Sequence, residues 1–404
     1  MIRFLHKFFP APPVIKLFLF AGIVWAAIVA PLSSVLILVN IGATSPQVGI
    51  FTALCAVISM VFQPVWGLLG DKTGSPRKVL CFCLGVSAVF FICVLLTKNL
   101  YVAAVLMILE NVFRCSVIAL LDSYTLSEMY AIPGLQYNHI RLAGSVFYGI
   151  LSLIYSGIID AWGVMSIIPI SFCIAALAVF MGLFVIKSQW EAGQYHARGV
   201  HKVKPNLKRE AISLFQNRRY IVFILHAAFY ALSTLPLFFF IVYYVNAVGG
   251  NSGDAMMICA LRCCSELFFF ILIGTAGRRL GAKELMLTGV CLTFVYIVGL
   301  LFARTLLWLT VFHLLGAPGY IISLTGRMRY LSEITPAAVR STSITVMGAF
   351  EACFGSVLGN LVAGFLLGAF GTHALTLVAL AALFATMLML ALMTAERNKP
   401  NPHP

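Results

Sequence analysis

The sequence predicts an all-α membrane protein of twelve transmembrane helices, arranged as two pseudo-symmetric six-helix halves. Three observations predict it: an apolar composition, twelve apolar runs with alternating loop charge, and an internal repeat. Of 404 residues, 61% are apolar and only 10% are charged, and the mean hydropathy is +1.01. Soluble globular chains are roughly half apolar and about a quarter charged. So few charges cannot solvate a surface, and the solvent must be mostly lipid. The same numbers exclude a string of soluble domains, a disordered chain, a collagen and a secreted disulfide scaffold.

A span needs about 20 mainly apolar residues. Such runs lie at about 15–39, 47–70, 78–97, 101–124, 139–160 and 164–187, then at about 220–245, 254–276, 283–303, 305–326, 341–367 and 373–394. The first is preceded by Arg3, Lys7 and Lys16 and is followed by Ser45-Pro46-Gln47, not by a small-residue cleavage site. It reads as a retained helix and not a signal peptide. Between the runs, Lys72, Arg77, Lys78, the stretch Lys187 to Arg219, Arg278, Arg279, Lys283, Arg327, Arg329, Arg340, Arg397 and Lys399 gather on one side. The other side holds only Lys98 and Arg304. Positive loops stay in the cytoplasm, so both termini are placed there. The net charge of +14 is read as this orientation signal and not as a nucleic-acid surface. The long polar stretch divides the chain into an N-terminal half (1–187), a cytoplasmic linker (188–219) and a C-terminal half (220–404). Within the linker, Asn206–Arg219 fits either a basic amphipathic helix, with Leu207, Ile212 and Phe215 toward lipid, or a solvated connection. The eleven Cys are scattered through apolar stretches with no metal spacing, so they read as small hydrophobes. No metal or cofactor is expected.

The two halves repeat one another. After the second run stands Gly67-Leu68-Leu69-Gly70-Asp71-Lys72-Thr73-Gly74-Ser75-Pro76-Arg77-Lys78. After the eighth stands Gly274-Thr275-Ala276-Gly277-Arg278-Arg279-Leu280-Gly281-Ala282-Lys283. Leu126-Ser127-Glu128 and Leu331-Ser332-Glu333 also correspond. Glycine allows tight turns and close helix approach. Gly67, Gly74, Asp71 and Arg77 are therefore read as gating residues at moving cytoplasmic helix ends, the alternative being a tight topogenic loop.

These residues resemble the cytoplasmic loop motif of the major facilitator superfamily. Gln63-Pro64-Val65-Trp66-Gly67, Arg141-Leu142-Ala143-Gly144-Ser145, Ser265-Glu266 with the Arg279 to Lys283 segment, and the glycine-rich Pro336 to Gly359 resemble its branch of sugar–proton and nucleoside–proton symporters, the lactose-permease-like transporters. The resemblance spans nearly the whole chain. It implies alternating access between two halves, a small-molecule substrate, and a proton as the driving ion.

Charges in mid-membrane are costly and usually functional. Glu110 and Arg114 share a helix face, being four apart, with Asn111, Cys115 and Ser116 nearby. Arg262 and Glu266 repeat the spacing in the other half in reversed order. Both pairs fit either a polar cavity with exchanging ion pairs or a structural, self-neutralising role. The resemblance implies that a carboxylate on helix 4 and an arginine on helix 5 clamp the solute, which points to Asp122 and Arg141. Here Asp stands where the family carries the longer Glu. The other reading is an ion pair at the helix ends. Glu351 has no basic residue within a helical turn and lies among Gly348, Gly355 and Gly359. A carboxyl in such low-dielectric surroundings can exchange a proton, so Glu351 joins Glu266 and Arg262 as a candidate for proton coupling, against a packing role. His313 occupies the place of a histidine seen in the branch, against the alternative of a satisfied core residue. Trp25 lies mid-span and could stack on a ring-shaped solute. The permeases place a carboxylate on helix 10, and residues 305–326 contain none, a departure from their coupling scheme.

No GxSxG, HExxH or phosphate-cradling loop occurs, so no enzymatic activity is expected. The favoured function is proton-coupled import of a small polar organic solute such as a sugar or nucleoside, by a monomer in the plasma (inner) membrane. A proton-coupled exporter of amphipathic compounds is the alternative on the same fold. Helix 5 lacks the glycine–proline motif of such exporters. A non-transporting sensor is the alternative from another class.

Overall fold

The helices start and stop at residues whose chemistry demands it. The computed structural model describes residues 12–129, 132, 137–186, 216–276, 280–335 and 340–395. Helix α1, described from the pair Pro12–Pro13 to Ile41, stops at Gly42, whose φ of 101° is left-handed. Within it the helix is interrupted at Ile28 and Ser33, beside Pro31. Helix α2 (Ser45–Thr73) carries Pro64 inside it and ends at Gly74, with φ 63°. Helix α3 (Pro76–Cys93) again has proline in its first turn. Helix α4 (Leu100–Met129) is capped by Asn99, whose Oδ1 accepts from the N–H of Tyr101 at 2.9 Å. Helix α5 (Tyr137–Trp162) ends at Gly163, with φ 83°. Helix α6 (Val164–Val185) closes in a π-helical turn, Met181–Val185.

The second half follows the same plan. Helix α7 (Arg218–Phe239) is capped by Asn217 and contains Pro236. A short helix, Ile241–Ala247, follows. Then come α8 (Ser252–Ala276), α9 (Ala282–Phe302) and α10 (Leu306–Ile334). Glu284 accepts the Gly281 N–H at the start of α9, at 2.9 Å. Helix α11 (340–370) comprises Arg340–Glu351, a π-helical stretch Ala352–Leu358, and a final α-helical part. Gly371, with φ 74° and ψ −170°, breaks the run Gly359–Ala395, so α12 occupies 372–395.

Among the described residues ten helical stretches are long and apolar enough to cross a membrane, the last being Ser343–Met393 of 51 residues. Gly371 divides that stretch in two, and α8 is a further helix of 25 residues. The set is consistent with twelve. One boundary differs in a way that matters. The run expected at about 305–326 continues as helix to Ile334, which carries Arg327 from the expected loop into the bundle. Partnered polar side chains let a helix continue past its apolar window. The linker segment 188–215, with Leu207, Ile212 and Phe215, lies outside the described residues, as do Arg278, Arg279, Pro336, Arg397 and Lys399.

The chain forms two units. The first holds Met1–Ala43, Val57–Val200 and Ser252–Cys264, and the second holds Thr44–Ala56, His201–Asn251 and Ser265–Pro404. The first has a core around Phe20, Leu80, Leu84, Leu121, Tyr124 and Ala178. The second has one around Tyr220, Phe223, Met286, Tyr330, Leu331 and Leu390. The repeat seen in the sequence recurs in these contacts. Phe20 meets Tyr124 edge-on at 6.3 Å in the first unit, and Phe223 meets Tyr330 at 5.5 Å in the second. Arg77 donates to the backbone carbonyls of Gly182 and Ile186 at the end of α6. Arg77 thereby satisfies carbonyls that the end of α6 leaves without an intrahelical partner, at the negative end of the helix dipole. In the second unit Lys283, in the repeated segment, donates to the Met393 carbonyl in the last described turn of α12.

Candidate functional site

In the first unit the polar residues of α4 come together. Glu110 and Asn111 are buried. The Glu110 carboxylate lies 2.7 Å from Arg114 Nε. Beside this ion pair Arg114 donates a hydrogen bond to Asn111 Oδ1 at 2.7 Å, and Asn111 Nδ2 donates to Ser59 Oγ on α2 at 3.2 Å. One cation thus binds two acceptors on its own helix, and the chain of bonds runs on to a neighbouring helix. Immediately beyond, α4 breaks between Arg114 and Val117. The Trp66 indole donates to the Val112 carbonyl at 2.8 Å and ties α2 to the same turn. A deep carboxylate with a bonded arginine is a charge pair that can change partners when a solute hydroxyl or a proton arrives.

Two other expected residues meet. The guanidinium of Arg141 lies over the Trp25 ring, 4.7 Å from its centre, within cation–π range. Gly144, one turn on, makes room for the indole: a Cβ there would stand 2.6 Å from Trp25 Nε1. The spacing Arg141-Leu142-Ala143-Gly144 is therefore the footprint of Trp25 on α5. Asp122 is half-buried on α4.

The second unit holds a pair that the local sequence did not announce. Glu351 has no basic neighbour along α11, yet its carboxylate is bonded to Arg327 of α10. Arg327 is 1% exposed and Glu351 21%. The Arg327 guanidinium also lies over the ring of Tyr230 on α7, at 4.8 Å, and Tyr230 shares a 2.8 Å bond with Thr293 on α9. Arg327 and Tyr230 are the residues the sequence reading missed. Sequence alone places Arg327 among the loop charges. The signal was its spacing: Ser323 and Arg327 lie one turn apart on one face of α10.

His313 is fully buried, with Nδ1 3.2 Å from the Tyr296 hydroxyl and its ring edge-on to that phenol. Arg262 is buried and Glu266 half-buried, one turn apart on α8. Of the cytoplasmic loop residues, Asp71 is exposed, whereas Arg77 is buried and fixed to α6. Gly74 has the left-handed φ that glycine supplies freely, and Gly67 has open space where a Cβ would stand. Gly67 and Asp71 line a small cavity with Gln63, Gly70, Ser116 and Ser123.

Comparison with known proteins agrees with this architecture. The chain is 23% identical over 362 residues to a protein of Bacillus subtilis (strain 168) described as the uncharacterized transporter YwbF, across 88% of this chain and 87% of that one. A shorter match, 28% over 123 residues, joins it to the maltose permease of Geobacillus stearothermophilus, covering 30% of this chain and 31% of that one. Among solved structures, the nucleoside transporter NupG superposes with a TM-score of 0.76 at 14% identity, over 96% of this chain and 100% of that one. A bacterial homologue of the lysosomal transporter Spinster superposes at 0.65 with 12% identity, over 96% and 98%. These structural likenesses establish the fold. The model of the MFS_1 like family matches residues 14–395, and the chain belongs to that family of major facilitator membrane transporters.

Proposed function

We propose that this transporter is a proton-coupled symporter that imports a small polar organic solute, a sugar or a nucleoside, across the plasma membrane by alternating access of its halves 1–187 and 220–404. It works as a monomer with both termini in the cytoplasm. The observation that carries the reading is a carboxylate–arginine pair with one fully enclosed member in each half, Glu110 with Arg114 and Arg327 with Glu351. Buried pairs contribute little net stability compared with apolar packing, and charges at this depth usually work. In this reading Arg114, Asn111, Asp122 and Arg141 present donors and acceptors to solute hydroxyls, and Trp25 offers its ring face. Glu351, Glu266 and Arg262 exchange the proton. Asp71 and Gly74 shape the cytoplasmic loop that moves. The fold likeness to a nucleoside transporter and the short match to a maltose permease make these two solute classes the first to test.

The test uses purified protein in proteoliposomes. Sugars, nucleosides and aromatic acids are screened for thermal stabilisation, and each hit is assayed for uptake with and without an inward pH gradient. Accumulation above the external concentration is expected only with the gradient, and a protonophore should abolish it. Equilibration that ignores the gradient would make the protein a facilitator and remove proton coupling from its description.

A further inference from the structure

Helix α11 changes its winding at the residue that carries its charge. Glu351 is the last residue of the α-helical part, and the next seven, Ala352–Leu358, are π-helical. A π turn holds more residues per turn than an α turn and is frequent at functional sites. Restoring α winding there would rotate Glu351 against the rest of α11 by about 100° for each residue taken out of the bulge. The π stretch is seated on α7. A Cβ at Gly355 would stand 2.9 Å from Ala231 Cβ and 2.6 Å from Leu235 Cδ1, and one at Gly359 would stand 2.7 Å from Pro236 Cγ. A Cβ would crowd both contacts, so glycine lets α11 approach α7 closely there without a side chain of its own between them.

Of the two partners Arg327 is the more enclosed. Arg327 is almost wholly enclosed, lies on the Tyr230 ring, and belongs to the unbroken part of α10. His226, on α7, is fully buried. Its Nδ1 faces the Thr386 carbonyl on α12 at 3.1 Å. A carbonyl only accepts, so Nδ1 carries a hydrogen and donates, and Nε2 is buried with no hydrogen-bond partner among the described residues. The groups around the pair are therefore His226 and Tyr230 from α7, Thr293 from α9, Tyr320 and Ser323 from α10, and Thr386 from α12. None of these described groups is a carboxylate, so Glu351 supplies the acid of the cluster.

We propose that the Arg327–Glu351 pair is a proton-operated latch on the winding of α11, with Arg327 as its fixed cation and the π-helical stretch Ala352–Leu358 as the element it releases. This rests on the proton-coupled reading and names the site of that coupling. A proton from the aqueous phase adds to the Glu351 carboxylate oxygen and turns it into a neutral acid. Arg327 keeps its own proton and its place on Tyr230. The pair passes from net zero to net positive, its charge-assisted bond weakens to a neutral one, and α11 is free to rewind. Loss of the proton to water restores the pair and the π turn.

The test needs only protons as its probe. Full-length protein in lipid nanodiscs is followed by hydrogen–deuterium exchange at mildly acidic and at alkaline pH, and read as protection factors to remove the intrinsic pH dependence. In the wild type, protection within 352–358 is expected to change at least about tenfold between the two conditions, while α9 does not respond. Glu351→Gln should hold the segment at its acid-side value at both pH values. Arg327→Lys, which keeps the cation, should retain the response. If Glu351→Gln does not fold, the double variant Arg327→Gln/Glu351→Gln removes the charge pair together and should likewise be insensitive to pH. An unresponsive segment in the wild type, or an undiminished response in the Gln variants, would overturn the latch. Uphill uptake by the wild type tests the symport reading separately, so either can fail without the other.

Discussion

Glu110 is almost wholly buried on α4, and its charge is tolerable there because Arg114 lies one turn on and neutralises it. Removing one member leaves the other charged and without its counter-ion in a low-dielectric setting, which costs about 3–5 kcal/mol in buried pairs. Glu110→Ala is therefore expected to lower the thermal unfolding temperature in detergent far more than the neutral, similar-volume double variant Glu110→Gln/Arg114→Gln. A single variant as harmless as the double would show that the pair is not electrostatically coupled. This arrangement was legible in the sequence, because the i, i+4 rule fixes the geometry of two residues on one helix. The Arg327–Glu351 bond was not. It joins two helices, and only their packing decides which residues of α10 and α11 face each other.

At the scale of the elements, close helix crossings rest on particular glycines. On α2, a Cβ at Gly49 would stand 2.7 Å from the Asn360 carbonyl oxygen and 2.8 Å from Gly364 Cα, backbone atoms of α11 that cannot turn aside. Gly364 meets Gly49 and the Ser45 carbonyl in the same way. Gly67, on the same helix, meets nothing. Gly49→Val is thus expected to force the two helices apart at a cost of about 1–3 kcal/mol, the range for overpacking, whereas Gly67→Ala should leave the unfolding temperature unchanged or slightly raised. Equal effects from the two would mean that the α2–α11 crossing is looser than it stands here. Composition marks both positions as glycine in an apolar run and says nothing of which one touches a backbone. The loop glycine Gly74 is a third case, since its left-handed φ was implied by its place at a helix stop.

For the molecule as a whole, duplication predicts parallel behaviour in the two units. Arg77 bonds two backbone carbonyls at the end of α6, and Lys283 bonds one in the last described turn of α12. Hydrogen bonds from charged donors contribute about 1.5–3 kcal/mol. Arg77→Ala and Lys283→Ala should each lower stability within that range, and their effects should add to within about 0.5 kcal/mol, as expected for independent sites. Loss at only one position would show that the repeat survives in sequence but not in energetics. The amino-acid sequence by itself determined the solvent, the helical class, the sidedness expected of the loops, the repeat and the family. All of these follow from composition and from periodic or local patterns, which the chain carries independently of its final packing. It also placed Glu110 beside Arg114, for the same local reason. Tertiary structure alone decided that Arg327 leaves the loop for the core, that Tyr230 and Glu351 receive it, that Trp25 lies under Arg141, and that Arg77 caps the end of α6. Each of these joins residues far apart in the chain. A buried charge must find a counter-ion or an aromatic face wherever the packing provides one, and that choice is made in three dimensions.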